Sequence, residues 1–143
     1  GPSNNTYDMI SDMRLVSYLA NLRENDPTAV PAETVLEMAT VNGARAMGIF
    51  DQTGSIETGK KADFIVIDMD KPHLIPAFDP VSTIVYAAHG SDVDTVVIDG
   101  KIVMKGRKVL TLDEEAIKED IQQRYKAVAN RAGLDIRSRW EII

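Results

Sequence analysis

The chain carries two imidazoles, His73 and His89, and no thiol. A catalytic zinc centre takes three protein ligands and keeps one position open, and its histidines usually stand in spacings such as H-x-H or H-E-x-x-H. Neither spacing occurs. His73 lies between Pro72 and Leu74, and His89 precedes Gly90 at the end of an apolar run. Both are read as structural or surface residues. The absence of cysteine excludes disulfides, thiolate nucleophiles and Cys-ligated metals. Asp63, Asp68 and Asp70 bracket the apolar run 64–67. Paired carboxylates do acid–base work when something raises the pKa of one of them. The sequence identifies no such partner, so solvated strand ends are the favoured reading. An enzyme of another class using His73 or His89 with Asp68 stands as a minor alternative.

The stretch GSIETGKK, with four residues between Gly54 and Gly59, has the glycine spacing of a phosphate-binding loop. Lys60-Lys61 follows where Lys-Ser or Lys-Thr belongs, and a strand rather than a helix comes next. Such a loop cradles phosphate with backbone N–H groups at a helix N-terminus, so this assignment is rejected. Ser3, Asn4 and Asn5 are the remaining candidates. Small polar residues opening a helix either bind an anion or a substrate hydroxyl, or merely cap the helix. They are the candidate substrate-binding residues. No catalytic and no metal-binding residue is assigned.

The elements that would position these groups follow from periodicity. Residues 7–23 carry an apolar helical stripe at Met9, Met13, Val16 and Ala20, with Asn5 and Asp8 spaced as an N-cap pair. A second helix starts at Pro31, with Val35, Met38 and Ala39 on its apolar face. VNGARAMG reads as a short helix stopped by Gly48, with Gly43 marking close backbone packing. The run 64–67 reads as a strand buried on both sides. KPHLIPAFDP is a loop, and 80–88 is compatible with helix or strand. Asp99-Gly100 between β-branched runs predicts a type I′ hairpin, and Lys105-Gly106 a further turn. Thr111 to Glu114 matches a capping box. It opens a long helix with a buried stripe at Ala116, Ile117, Ile121, Tyr125 and Val128, closed by Gly133. The fold class is therefore α+β.

With 143 residues, 44% hydrophobic and 27% charged, the chain is ordinary globular material: one domain, or two small pieces of a larger one. A net charge of −6 with scattered basic residues argues against a nucleic-acid partner. No long apolar run is present, so a cytoplasmic protein with no membrane partner is expected.

Three stretches in order, PAETVLEMATVNGARAMGI, GSIETGKKADFIVIDMD and DPVSTIVYAAHGSDVDTVVIDGKIVMKGRKV, resemble the metal-dependent amidohydrolase superfamily. Within it they are most similar to the 5-methylthioadenosine/S-adenosylhomocysteine deaminases and chlorohydrolase-like members. The resemblance implies a (β/α)₈ barrel with a divalent metal, Zn or Fe, at the C-terminal ends of its strands, and a small β-sandwich domain. It implies deamination of an adenine-type ring in a small-molecule nucleoside. The family's metal-binding histidines, aspartate and general-base glutamate have no counterpart in this chain. The resemblance thus makes the chain a C-terminal piece, inactive alone and binding no cofactor. Residues 1–50 would be the end of the barrel, 51–112 the β-rich domain with its hairpin at 99–100, and 113–143 the terminal helix and tail. Self-association through apolar faces that include Met9, Met13 and Val16 is expected of such a piece. The alternatives are a stand-alone binding or scaffold module and, within the family, a chlorohydrolase or guanine-type deaminase.

Overall fold

The computed structural model describes residues 6–134. Their order is α1 (Met9–Glu24), α2 (Ala32–Glu37), a π-helical turn (Met38–Asn42), α3 (Gly43–Ala46), β1 (Phe64–Ile67), α4 (Pro80–Tyr86), a 3₁₀ turn (Gly90–Asp92), β2 (Val93–Ile98), β3 (Lys101–Lys105), β4 (Lys108–Val109) and α5 (Glu114–Ala132). The class is α+β. The chain divides into two compact units, Gly1–Lys108 and Val109–Ile143.

In the first unit the core is formed by Ile10 and Met13 of α1, Ala32 and Val35 of α2, Val85 of α4, and Leu74, Ala88 and Val93. α1 begins at Met9, two residues later than the stripe predicts. Its N-cap is Asp8 rather than Asn5: the Asp8 carboxylate accepts from the Ile10 and Ser11 N–H groups at 3.1 and 3.2 Å. Asp8 sits next to the orphan N–H groups of the first turn and satisfies them directly. The apolar stripe is only half used. Met13 is buried, which corrects its expected exposure, while Met9 and Val16 are 61% and 43% exposed. The fully buried Ser17 keeps its hydroxyl paired, 2.9 Å from the Tyr86 hydroxyl and 3.3 Å from the Val30 carbonyl it donates to.

Pro31 is the N-cap of α2, one position before the first helical residue predicted for it. Val35 is buried, but Met38 is 45% exposed, because the helix widens into a π turn there and rotates Met38 off the α2 face. Gly48 ends the segment at φ 70. The close approach assigned to Gly43 occurs at Gly54 instead. A Cβ at Gly43 would meet only the Met38 carbonyl at 3.3 Å, whereas one at Gly54 would stand 2.7 Å from the Ala44 Cβ.

The sheet has the order β1-β2-β3-β4. β1 and β3 each run antiparallel to β2, with Phe64 opposite Val97 and Val97 opposite Ile102. The β2–β3 turn has Asp99 at φ 50 and Gly100 at φ 74, the two positive values a type I′ turn requires. β1 is not buried on both sides: Phe64, Ile65 and Val66 are 38 to 50% exposed. It is an edge strand, and among the described residues nothing covers both of its faces. The segment 80–88 resolves as a helix, capped by the Asp79 carboxylate with Pro80 at its first position.

In the second unit α5 ends at Gly133 (φ 61) as predicted, but its N-cap is Asp113, not Thr111. The predicted buried stripe is exposed at Ile117, Ile121, Tyr125 and Val128. Periodicity specifies an apolar face, and the described residues of this unit offer no second helix to cover it.

Candidate functional site

Ser3, Asn4 and Asn5 lie outside the described residues. The structure does describe the segment they lead into, the N-terminus of α1, and what it packs against. Besides capping α1, the Asp8 carboxylate accepts from the Ser11 hydroxyl at 2.8 Å and from the Gly90 N–H. Burial alone would raise its pKa, but these hydrogen bonds outweigh it and hold the carboxyl below its ordinary value. Gly90 opens the 3₁₀ turn that feeds β2. A Cβ there would come within 3.2 Å of the Asp8 carboxylate. Arg107, in the left-handed region at φ 64, donates from Nη1 to the Gly90 and Val93 carbonyls at 3.0 and 2.9 Å. Tyr7, Asp8, Ile65, Gly90, Ser91 and Arg107 thereby line an open cleft of about 450 Å³.

The two histidines come together on the other side of this turn. Their ring centroids are 5.3 Å apart. Asp92, only 4% exposed, accepts from His73 Nε2 and from the His89 N–H, each at 2.8 Å. Burial pushes the Asp92 carboxyl up, but the His73 hydrogen bond, the His89 N–H and the charge of the two imidazoles pull it to a net value below the usual range. Asp92 was not among the residues singled out from the sequence. Its signal was available: it stands three residues after His89, the spacing of a capping box, and the turn carries that reciprocal pairing.

Asp63, Asp68 and Asp70 are not a catalytic pair. Asp63 accepts from the Asp99 N–H at 2.6 Å and from the Thr53 hydroxyl at 3.0 Å, in that order of effect, and its pKa is lowered. It ties the start of β1 to the β2–β3 turn. Asp68 is held ionised by Lys71 at 2.7 Å and accepts the Asp70 N–H. A carboxylate with a depressed pKa is a weak base at neutral pH and no acid at all, so these groups serve the frame. Lys60 has no phosphate to meet. Its ammonium lies 3.6 Å from the Phe50 ring centroid and 2.7 Å from the Ser55 hydroxyl.

Among the described residues no group of three or more His, Cys, Asp or Glu is placed to hold a metal ion. The donor set does not fit the divalent metal that the resemblance implies, and no step of a metal-assisted hydrolysis runs through it.

Replacing Asp92 by Ala is expected to cost about 2 kcal/mol, since it removes a buried acceptor of two hydrogen bonds. The depressed folded pKa makes the contribution of the Asp92 charge fully present above the unfolded carboxylate value of about 3.9. It is lost as pH falls through the lower folded value. Urea denaturation of the parent chain and Asp92→Asn should therefore differ by a constant amount near neutrality and converge below about pH 4. A difference that grows on acidification would contradict this.

The amidohydrolase family model matches residues 2–103. The chain is 49% identical over 126 residues to a 5-methylthioadenosine/S-adenosylhomocysteine deaminase of Acetivibrio thermocellus, covering 88% of this chain and 29% of that protein. It is 47% identical to a 5'-deoxyadenosine deaminase of Methanosarcina mazei, covering 90% of this chain and again 29% of the relative. Among solved structures it is similar to a zinc-bound adenosine deaminase from Xanthomonas campestris, with a TM-score of 0.86, 37% identity, and coverage of 90% of this chain and 29% of that one. It also matches the zinc complex of atrazine chlorohydrolase TrzN from Arthrobacter aurescens, with a TM-score of 0.71, covering 80% of this chain and 25% of that one. At 23% identity this second likeness speaks for the fold alone. The chain thus spans less than a third of the length of the relatives it matches. A match over residues 2–103, most of the described first unit, decides the family: the chain belongs to the amidohydrolases.

Proposed function

We propose that this chain works as the C-terminal part of a metal-dependent aminohydrolase that deaminates an adenine-type ring. The substrate class is that of methylthioadenosine and S-adenosylhomocysteine. The observation that carries the reading is identity near one half, over most of this chain, to deaminases of such nucleosides. Residues 1–50 then close the barrel, 51–112 supply the C-terminal share of the small β domain, and 113–143 the terminal helix and tail. The divalent metal, Zn or Fe, is held by donors outside the described residues, and this chain contributes wall and frame. Ser3, Asn4 and Asn5 contribute the wall facing the substrate. Asp8, Gly90 and Arg107 brace the helix that follows them against the sheet. The enzyme acts in the cytoplasm on a small nucleoside.

The test separates the piece from the whole. The 143-residue chain, supplied with zinc, should show no stoichiometric high-affinity site by calorimetry. It should release no ammonia from methylthioadenosine, S-adenosylhomocysteine or 5'-deoxyadenosine. Expressed together with the upstream coding sequence, it should release ammonia from at least one of them. Tight one-to-one zinc binding with turnover by the chain alone would overturn the assignment to wall and frame. A longer protein that dechlorinates triazines or deaminates guanine, and ignores these nucleosides, would overturn the substrate class.

A further inference from the structure

α5 is a well-terminated helix with an unused face. The Asp113 carboxylate caps it by accepting from the Ala116 N–H at 3.1 Å, and Gly133 closes it in the left-handed conformation. Its 19 residues reach about 28 Å at ~1.5 Å per residue. Ile117, Ile121, Tyr125 and Val128 fall on one side at helical spacing, and all four are exposed, by 39 to 58%. Its charges are segregated. Asp113, Glu114, Glu115, Glu119 and Asp120 crowd the first half against Lys118 alone, while Arg124, Lys126 and Arg131 occupy the second half without an acid. That order suits the helix dipole. It also makes the helix complementary to a reversed copy of itself.

We infer that α5 is a dimerisation element that pairs antiparallel with α5 of a second copy, about a two-fold axis near residues 122 and 123. In that register Ile117 lies opposite Val128 of the second copy, and Ile121 opposite its Tyr125. Glu114 faces Arg131 and Glu119 faces Lys126. Every contact occurs twice, as a two-fold interface demands. Asp120 and Arg124, joined along the helix at 2.6 Å, border the apolar seam and meet the same pair from the other copy. A parallel pairing would set acid against acid along one half and base against base along the other, so the charges select the orientation as well as the partner.

The test uses the 143-residue chain in sedimentation velocity at about 100 µM, where a Kd of ~10 µM leaves most of it paired. The expected result is a dimer that Ile121→Glu weakens by about 30-fold or more, as loss of a central apolar contact should. Ile121 is exposed, so circular dichroism of this variant should match the parent. Arg131→Glu should weaken the dimer, and Glu114→Arg combined with Arg131→Glu should restore it. The chain has no cysteine, so orientation can be read by oxidation. Ile117→Cys mixed with Val128→Cys should give the mixed disulfide, whereas Ile117→Cys alone should give none. A monomer at that concentration overturns the inference. So does a dimer indifferent to Ile121→Glu but abolished by Val16→Glu on α1, or an Ile117→Cys chain that cross-links to itself.

Discussion

Gly54→Ala is expected to destabilise the chain by about 3 kcal/mol, lowering the melting temperature by roughly 10 °C. Two costs add. Gly54 sits at φ 97, where an L side chain is strained by about 1–2 kcal/mol. The new methyl would also lie 2.7 Å from the Ala44 Cβ, with the Thr40 carbonyl at 3.3 Å and the Val41 Cα at 3.4 Å. Ala44 is buried and has no flexible end to move aside. Gly59→Ala separates the two terms. It shares the strain, at φ 93, but its Cβ would meet nothing within 4 Å, so only about 1–2 kcal/mol should be lost. Urea denaturation of both variants measures the difference, and equal losses would show that the contact with Ala44 contributes nothing. This gives a physical reason for a glycine in the GSIETGKKAD stretch: it admits the turn of helix around Ala44 to van der Waals contact.

Leu74→Ala should cost about 3 kcal/mol, within the ~2–5 kcal/mol range of emptied core sites. Leu74 is 1% exposed and packs in the core shared by α1, α2 and α4. Its neighbour Ile75 is 59% exposed, so Ile75→Ala should change stability by no more than about 0.5 kcal/mol. If the two variants unfold at the same urea concentration, the core does not depend on this loop. The result matters for function because the same loop carries His73, whose bond to Asp92 helps hold the turn at Gly90 against α1.

Leu74 also shows where sequence reading succeeds and where it stops. Proline and polar neighbours mark 71–80 as a loop, and it is one; nothing local says that a single leucine in it plugs the core from a distance. Local chemistry was legible where a backbone conformation is demanded. Asp99-Gly100 gave the hairpin, Gly48 and Gly133 the helix ends, and Pro80 a helix start once the segment is known to be a helix. Helix caps were misplaced, from Asp8 to Asn5 and from Asp113 to Thr111, because neighbouring small polar residues compete and only geometry chooses between them. Apolar periodicity located the faces of α1, β1 and α5 without saying which are covered. That depends on partners far away in the chain or outside it, and Met13 and Val16 fall on opposite outcomes. At the site, the pair Asp8–Gly90 and the group His73–Asp92–His89 join residues distant in sequence. No spacing rule connects them, apart from the short reach from His89 to Asp92.

The π turn Met38–Asn42 carries a constraint of another kind. It lodges more residues in one revolution than an α-helix does, and the Thr40 carbonyl and Val41 Cα that border Gly54 belong to it. Deleting one residue there would let the helix tighten and swing everything after it by about 100°. Ala44 would then leave the glycine it rests against. Between Pro31 and Gly48 the protein can therefore accept many exchanges of one side chain for another while refusing a gain or loss of a single codon.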